Sequence, residues 1–152
     1  MDHNHTHHGG HSDSSLKTSA HATLHCMVGC VIGEFTGLAI GITLGLGVAI
    51  TISLTFFFAF LFGFLLGVIP VMRREGLTFW KAFKVIWLGE AISIFVMEVV
   101  MNLVDYHVGG IQVASIFAPM FWIGMLVAIP PGFLAAWPVN YWLLKRHLKA
   151  CH

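Results

Sequence analysis

Long uncharged segments dominate the chain after its polar first 20 residues. No Asp, Glu, Lys or Arg lies between Glu34 and Arg73, and none lies between Asp105 and Lys145. A helix needs about 20 apolar residues to cross the hydrocarbon core of a bilayer. The pattern therefore predicts four membrane-spanning helices, at about residues 22–45, 48–70, 82–106 and 113–144.

Glycine and proline are expected to mark the ends of these helices. Gly45 and Gly47 predict a turn after the first helix, and Pro70 predicts the end of the second. The segment 106–144 would be about 58 Å long as one helix, so Pro130-Pro131-Gly132 is interpreted as a break. That interpretation gives a span at 113–129 followed by a bent tail. The predicted fold is an all-α, four-helix membrane bundle with a kinked last helix.

The domain boundaries follow from the same pattern. A disordered tail is expected at residues 1–20, the membrane domain at 21–147, and a short carboxyl-terminal tail at 148–152. The first 20 residues are too polar for a signal peptide.

The composition narrows the class of protein. Of 152 residues, 57% are hydrophobic and only 10% are charged, against about 25% charged in soluble domains. A net charge of +1 gives no basic surface for nucleic acid. Three cysteines are too few for a secreted disulfide scaffold. An integral membrane protein remains, with the lipid bilayer as its first partner.

The basic residues predict the orientation. They follow the second helix and the last helix, whereas the first and third connections contain neither Lys nor Arg. The positive-inside rule then puts both termini on the cytoplasmic side of a cell inner or plasma membrane. The residues concerned are Arg73, Arg74, Lys81, Lys84, Lys145, Arg146 and Lys149.

Histidines crowd the amino terminus, where His3, His5, His7, His8 and His11 fall within eleven residues. Imidazole is the commonest metal ligand, and a flexible histidine-rich tract can collect Zn²⁺, Cu²⁺ or Ni²⁺. The tail is therefore interpreted as a metal-capture segment, with a purely solvating tail as the alternative.

The first helix has a glycine at every fourth position: Gly29, Gly33, Gly37, Gly41 and Gly45. Such spacing lets a second helix approach closely in a membrane. The glycines predict a packing face, within the bundle or between protomers of a homo-oligomer or larger complex.

Beside these glycines the same helix carries His25, Cys26, Cys30 and Glu34. The last three share one face, at spacings of four residues. Thiols, an imidazole and a carboxylate are ligands for a soft or borderline metal. Redox use of the two cysteines and simple packing of small apolar thiols stay open as alternatives.

The third helix is predicted to have an acidic face containing Glu90, Met97, Glu98, Met101, Asn102 and Asp105. No Lys or Arg lies between Val85 and Leu144, so the acids have no basic partner in their own span. Such carboxylates are protonated, bind a cation or line a wet path. Met97 and Met101 are one turn apart, which suits Cu(I), although methionines also fill gaps in cores. Asp105 and His107 are expected at the outer mouth.

Two resemblances accompany these patterns. The run His25-Cys26-x-x-Gly29-Cys30-x-x-Gly33-Glu34, with Pro138-Val139-Asn140-Tyr141-Trp142, resembles a family of small membrane proteins classified only as a domain of unknown function, DUF4396. That resemblance spans Leu24 to Leu144 and implies a polytopic membrane domain, with no activity attached. The histidine tail, the Met-x-x-x-Met pair and the final Cys-His are loosely similar to copper uptake transporters. Those transporters have three spans and an extracellular amino terminus, which this chain does not match.

The favoured function is binding of a transition-metal cation, copper before zinc, which the protein translocates or holds. The alternatives are a membrane thiol or quinone redox protein and a non-catalytic assembly subunit. No nucleotide-binding motif is present, haem is disfavoured, and no catalytic residue is identified.

Overall fold

Four long helices make up the described part of the chain. The computed structural model describes the backbone of residues 10–145 and the side chains of residues 16–73 and 75–145. The helices are α1 (Gly10–Thr43), α2 (Val48–Glu75), α3 (Phe79–Val108) and α4 (Pro119–Lys145), with a short 3₁₀ turn at Gly110–Gln112. Residues 10–145 contain no β-strand, and the prediction of an all-α fold is confirmed.

Three of the helices are long and apolar enough to cross a membrane. These are Leu16–Thr43 in α1, Val48–Arg73 in α2 and Pro119–Lys145 in α4. The chain is accordingly an integral membrane protein with at least these candidate spans. The fourth helix, α3, has 30 residues, and its polar residues face inward: Glu90, Ser93, Glu98, Asn102 and Asp105 are all buried.

The helices pack as an antiparallel four-helix bundle in which one diagonally opposite pair, α1 and α3, is also in contact. Helix α1 contacts α2, α3 and α4, and α3 contacts α2 and α4. Within residues 10–145, α2 and α4 do not contact each other. The parallel helices α1 and α3 therefore meet across the centre of the bundle, where the candidate site lies.

The glycine face of α1 packs against α2. A Cβ atom added at Gly29, Gly33 or Gly37 would meet the α2 backbone at Gly63, Ala59 or Thr55, and one at Gly41 would meet the Thr51 side chain. Each step of four residues along α1 matches a step of four along α2. This face is thus filled within the protomer and is not the surface for a second copy. Gly45 differs from the other four, since it lies in the turn after α1 with a positive φ of 64°.

Helix α1 begins earlier than predicted. Residues 10–20 are helical, so the prediction of disorder up to residue 20 is wrong for these residues. Polar contacts with α4 hold this part of α1: Trp137 Nε1 donates to Ser19 Oγ (3.1 Å), and Asn140 Nδ2 donates to Thr23 Oγ1 (2.8 Å). Residues 1–9 and 146–152, including most of the histidine tail, lie outside the described residues.

Helix α4 corrects a second prediction. It begins at Pro119 instead of Val113 and continues through Pro130, Pro131 and Pro138 to Lys145, so a span ending at Ile129 with a bent tail is wrong. Proline suits the first turn of a helix, and interior prolines are tolerated in membrane helices. The inward face of α4 carries a stripe of small residues that was not among the predicted packing residues: Gly124, Ala128, Gly132 and Ala136.

Candidate functional site

One buried core cluster at the centre of the bundle contains four sulfur-containing side chains. They are Cys26 and Cys30 of α1 and Met97 and Met101 of α3, which the cluster holds together with Ala59, Ile94, Ala128 and Ala136. Both cysteines are buried thiols, and three of the four side chains are fully buried. Gly132 of α4 makes room for the thioethers, because a Cβ atom there would meet Met101 and approach Met97.

The two thiols also have polar neighbours on α3. Ser93 Oγ donates a long hydrogen bond to Cys26 Sγ (3.5 Å). Cys26 and the carboxyl group of Glu98 are near neighbours of the Cys30 thiol. The predicted thiol pair therefore lies directly against the predicted acidic face of α3.

Asn102 orients Glu98. The Asn102 amide nitrogen donates to Glu98 Oε2 (3.2 Å) and to the Glu98 backbone carbonyl (3.0 Å). Thr55 of α2 in turn donates to the Asn102 side-chain oxygen (2.9 Å). These bonds hold one carboxyl oxygen of Glu98, whereas no donor among the described residues reaches Oε1.

Glu34 and Asp105 are buried without a hydrogen-bond donor among the described residues. Glu34 is fully buried and Asp105 is 1% exposed. None of their four carboxyl oxygens has a hydrogen-bond partner among the described residues. An unsatisfied buried polar group costs about 1–3 kcal/mol, and more if it is charged. A group kept at that cost is a candidate for function.

Two glycines form a cradle around Asp105. A Cβ atom at Gly110 or at Gly124 would overlap the Asp105 carboxyl group. The carboxyl group thus lies between the 3₁₀ turn and α4. Both glycines are buried.

The histidines of the described region point elsewhere. His25 is exposed, and its Nε2 atom lies 2.7 Å from the Leu66 carbonyl of α2. A carbonyl only accepts, so Nε2 carries the proton and is not available to a metal. His107 is exposed at the far end, with Nδ1 2.7 Å from the Leu103 carbonyl. His11 belongs to α1 by its backbone, and His3, His5, His7 and His8 lie outside the described residues.

Glu90 occupies a separate position. It is buried on α3, where a Cβ atom at Gly67 of α2 would contact its side chain. This is one turn before Ser93, toward the amino-terminal end of α3. The structure thus brings Cys26, Cys30, Met97, Met101 and Glu98 together, and leaves His25 and His107 at the surface.

A conventional metal centre is not preformed in this region. In the part of the chain that the structure describes, no group of three or more His, Cys, Asp or Glu side chains could hold a metal ion. The sulfur cluster differs from such a centre because half of its donors are thioethers.

Comparisons with known proteins identify a family but no similar curated protein or solved structure. Neither the curated proteins nor the solved structures contain a significant match to this chain. The sequence profile of the family described as "Domain of unknown function (DUF4396)" matches residues 15–149, which cover the four helices almost completely. The chain therefore belongs to the DUF4396 family.

Proposed function

We propose that the protein binds Cu(I) within its membrane domain, at Cys26, Cys30, Met97 and Met101, and holds it or passes it across the bilayer. The observation that supports this proposal is the single buried cluster shared by two thiols and two thioethers. Thiolate and thioether sulfur are the ligands that Cu(I) prefers.

The thioethers favour copper over zinc. Structural and catalytic zinc sites use cysteine, histidine and carboxylate ligands in tetrahedral geometry. Methionine adds little for zinc but is a natural donor for Cu(I). If zinc were the cargo, Met97 and Met101 would be packing residues only.

The charges of the site also favour a cation. Glu98 interacts with Cys30, and one of its oxygens lacks a donor among the described residues. Glu34 lies near enough to repel Glu98 when both are charged. A bound cation would relieve the electrostatic cost of these buried groups.

The histidine-rich segment would bind the metal on the cytoplasmic side. We propose that His3, His5, His7, His8 and His11 capture the cation at the cytoplasmic end of the membrane domain. These histidines would not select one metal, because imidazole also binds Zn²⁺ and Cu²⁺.

The topology belongs to the same proposal. All described Lys and Arg side chains lie at one end of the bundle, at Lys17, Arg73, Lys81, Lys84 and Lys145. We place this end and both termini on the cytoplasmic side. We also propose α3 as the fourth span, because from Val85 to Tyr106 its exposed residues are apolar or aromatic, as lipid contact requires.

Association of protomers would use the lipid-facing surfaces. The four helical glycines of α1 are already covered by α2. A homo-oligomer or a larger membrane complex would therefore meet on other helix faces.

Copper content tests the proposal. The full chain, with the five tail histidines changed to serine, is loaded anaerobically with Cu(I) and passed through a weak chelator before elemental analysis. About one copper ion per chain is expected. Cys26→Ser/Cys30→Ser should lose it, whereas Cys151→Ser, the same change at a cysteine that is not a proposed ligand, should retain it. Equal copper in the double variant, or none in the starting protein, would contradict the proposal.

A further inference from the structure

We infer that Asp105 and Glu34 form the route by which the cation reaches the sulfur cluster, from the end of the bundle opposite the basic residues. This inference rests on the proposed Cu(I) site. It adds the direction from which the cation enters and the two carboxyl groups that it passes.

The three carboxyl groups follow one another along the bundle. Asp105 is an electrostatic neighbour of Glu34, and Glu34 is an electrostatic neighbour of Glu98. Glu98 is in turn a neighbour of the Cys30 thiol. Because α1 and α3 run parallel, the order Asp105, Glu34, Glu98 leads from the last turn of α3 to the centre of the bundle.

A series of acidic residues is not by itself evidence of a route. An independent observation is that several of their buried oxygens have no hydrogen-bond donor among the described residues. Five carboxyl oxygens, on side chains no more than 1% exposed, have no partner among the described residues: both of Glu34, both of Asp105 and Oε1 of Glu98. A buried carboxyl group with a purely structural role is expected to accept hydrogen bonds, as Glu98 Oε2 does from Asn102. The remaining oxygens are left available to a passing cation.

Two glycines and an absence of Lys and Arg characterise the Asp105 end of the series. The Gly110 and Gly124 positions give the Asp105 carboxyl group space that a side chain would fill. The connections at this end, residues 44–47 and 109–118, contain no Lys or Arg.

The opposite end is less suited to the entry of a cation into the bundle. Exposed Lys17, Lys81, Lys84 and Lys145 lie there, and Asn140, Thr23, Ser19 and Trp137 form a closed set of hydrogen bonds between α1 and α4. A positive potential slows the approach of cations, whereas a line of acids accelerates it.

The rate of loading tests the route separately from the site. The full-length protein in detergent is mixed with a Cu(I)–chelate complex, and transfer is followed by stopped-flow absorbance. Asp105→Asn and Glu34→Gln should each slow loading by about tenfold or more and still reach the wild-type copper content. Glu75→Gln, the same change at an exposed acid of the basic end, should load at the wild-type rate.

Each outcome bears on the inference. Full final occupancy shows that a variant retains a folded site, and slow loading then supports the route. Wild-type rates in both variants would overturn the route and leave the Cu(I) site intact. Loss of final occupancy in both would overturn it too, because the carboxyl groups would then be part of the site itself. If the wild-type protein binds no Cu(I), the proposed function fails first.

Discussion

His25 donates a hydrogen bond from Nε2 to the backbone carbonyl of Leu66, at 2.7 Å, and so joins α1 to α2. In an uninterrupted helix that carbonyl would accept from the backbone N–H four residues later. Here the later residue is Pro70, which has no N–H. The imidazole therefore replaces the donor that proline removes, and α2 continues to Glu75 instead of ending at Pro70.

This relationship predicts a non-additive pair of substitutions. His25→Ala should destabilise the protein by about 1 kcal/mol, since it leaves the Leu66 carbonyl without a donor. In a Pro70→Ala background the restored backbone N–H should remove most of that cost. Reversible unfolding in mixed detergent would measure the cycle. His21→Ala, at an exposed position one turn earlier, is the matched control, and equal effects of His25→Ala in both backgrounds would contradict the assignment.

A second prediction concerns the close approach of α1 and α2. A methyl group at Gly33 would collide with the Ala59 backbone, so Gly33→Ala should cost about 1–3 kcal/mol or more. Gly47→Ala is the control, because nothing lies within 4 Å of its added methyl group. Thermal unfolding in detergent compares the two. Similar melting temperatures for both variants would refute the tight interface.

The sequence predicted the helices better than their ends. Hydropathy located the four helices, and the spacing of glycines in α1 correctly indicated a close helix contact. The partner of that contact was not predictable, because small-residue stripes also occur on α2 and α4, and only the three-dimensional structure assigns Gly33 to Ala59. The predicted ends were wrong for reasons that lie in the tertiary structure: Ser19 of α1 bonds to α4, and α4 continues through its internal prolines.

A third prediction tests the support of Glu98. Asn102→Leu removes the donor to Glu98 Oε2, so stability should fall by about 1–3 kcal/mol, while the Thr55 hydroxyl keeps the Ile52 carbonyl as an acceptor. Thr55→Val should cost less, because Asn102 keeps its own bonds to Glu98. Ser53→Ala, which loses only an exposed intrahelical bond on α2, serves as the control. An order of effects with Thr55→Val largest would contradict this network.

The candidate site was predictable in part. The period of 3.6 residues put Cys26, Cys30 and Glu34 on one face of α1 and put the methionines and acids on one face of α3. The helical period could not show that these two faces meet, because their meeting depends on the tertiary contact between α1 and α3. His25 was grouped with the thiols by its neighbouring position in the sequence. Its bond to Leu66 depends on a proline 45 residues away, which no local pattern reveals.

In the proposed site, sulfur holds a soft cation inside the membrane domain. X-ray absorption spectroscopy at the copper edge reads the ligands of that cation, on the Cu(I)-loaded full chain with serine in place of the five tail histidines. We expect a first shell made of sulfur only, with a lower sulfur coordination number in Met97→Leu/Met101→Leu and loss of bound copper in Cys26→Ser/Cys30→Ser. A first shell of nitrogen or oxygen, or a spectrum unchanged by either pair of substitutions, would contradict it.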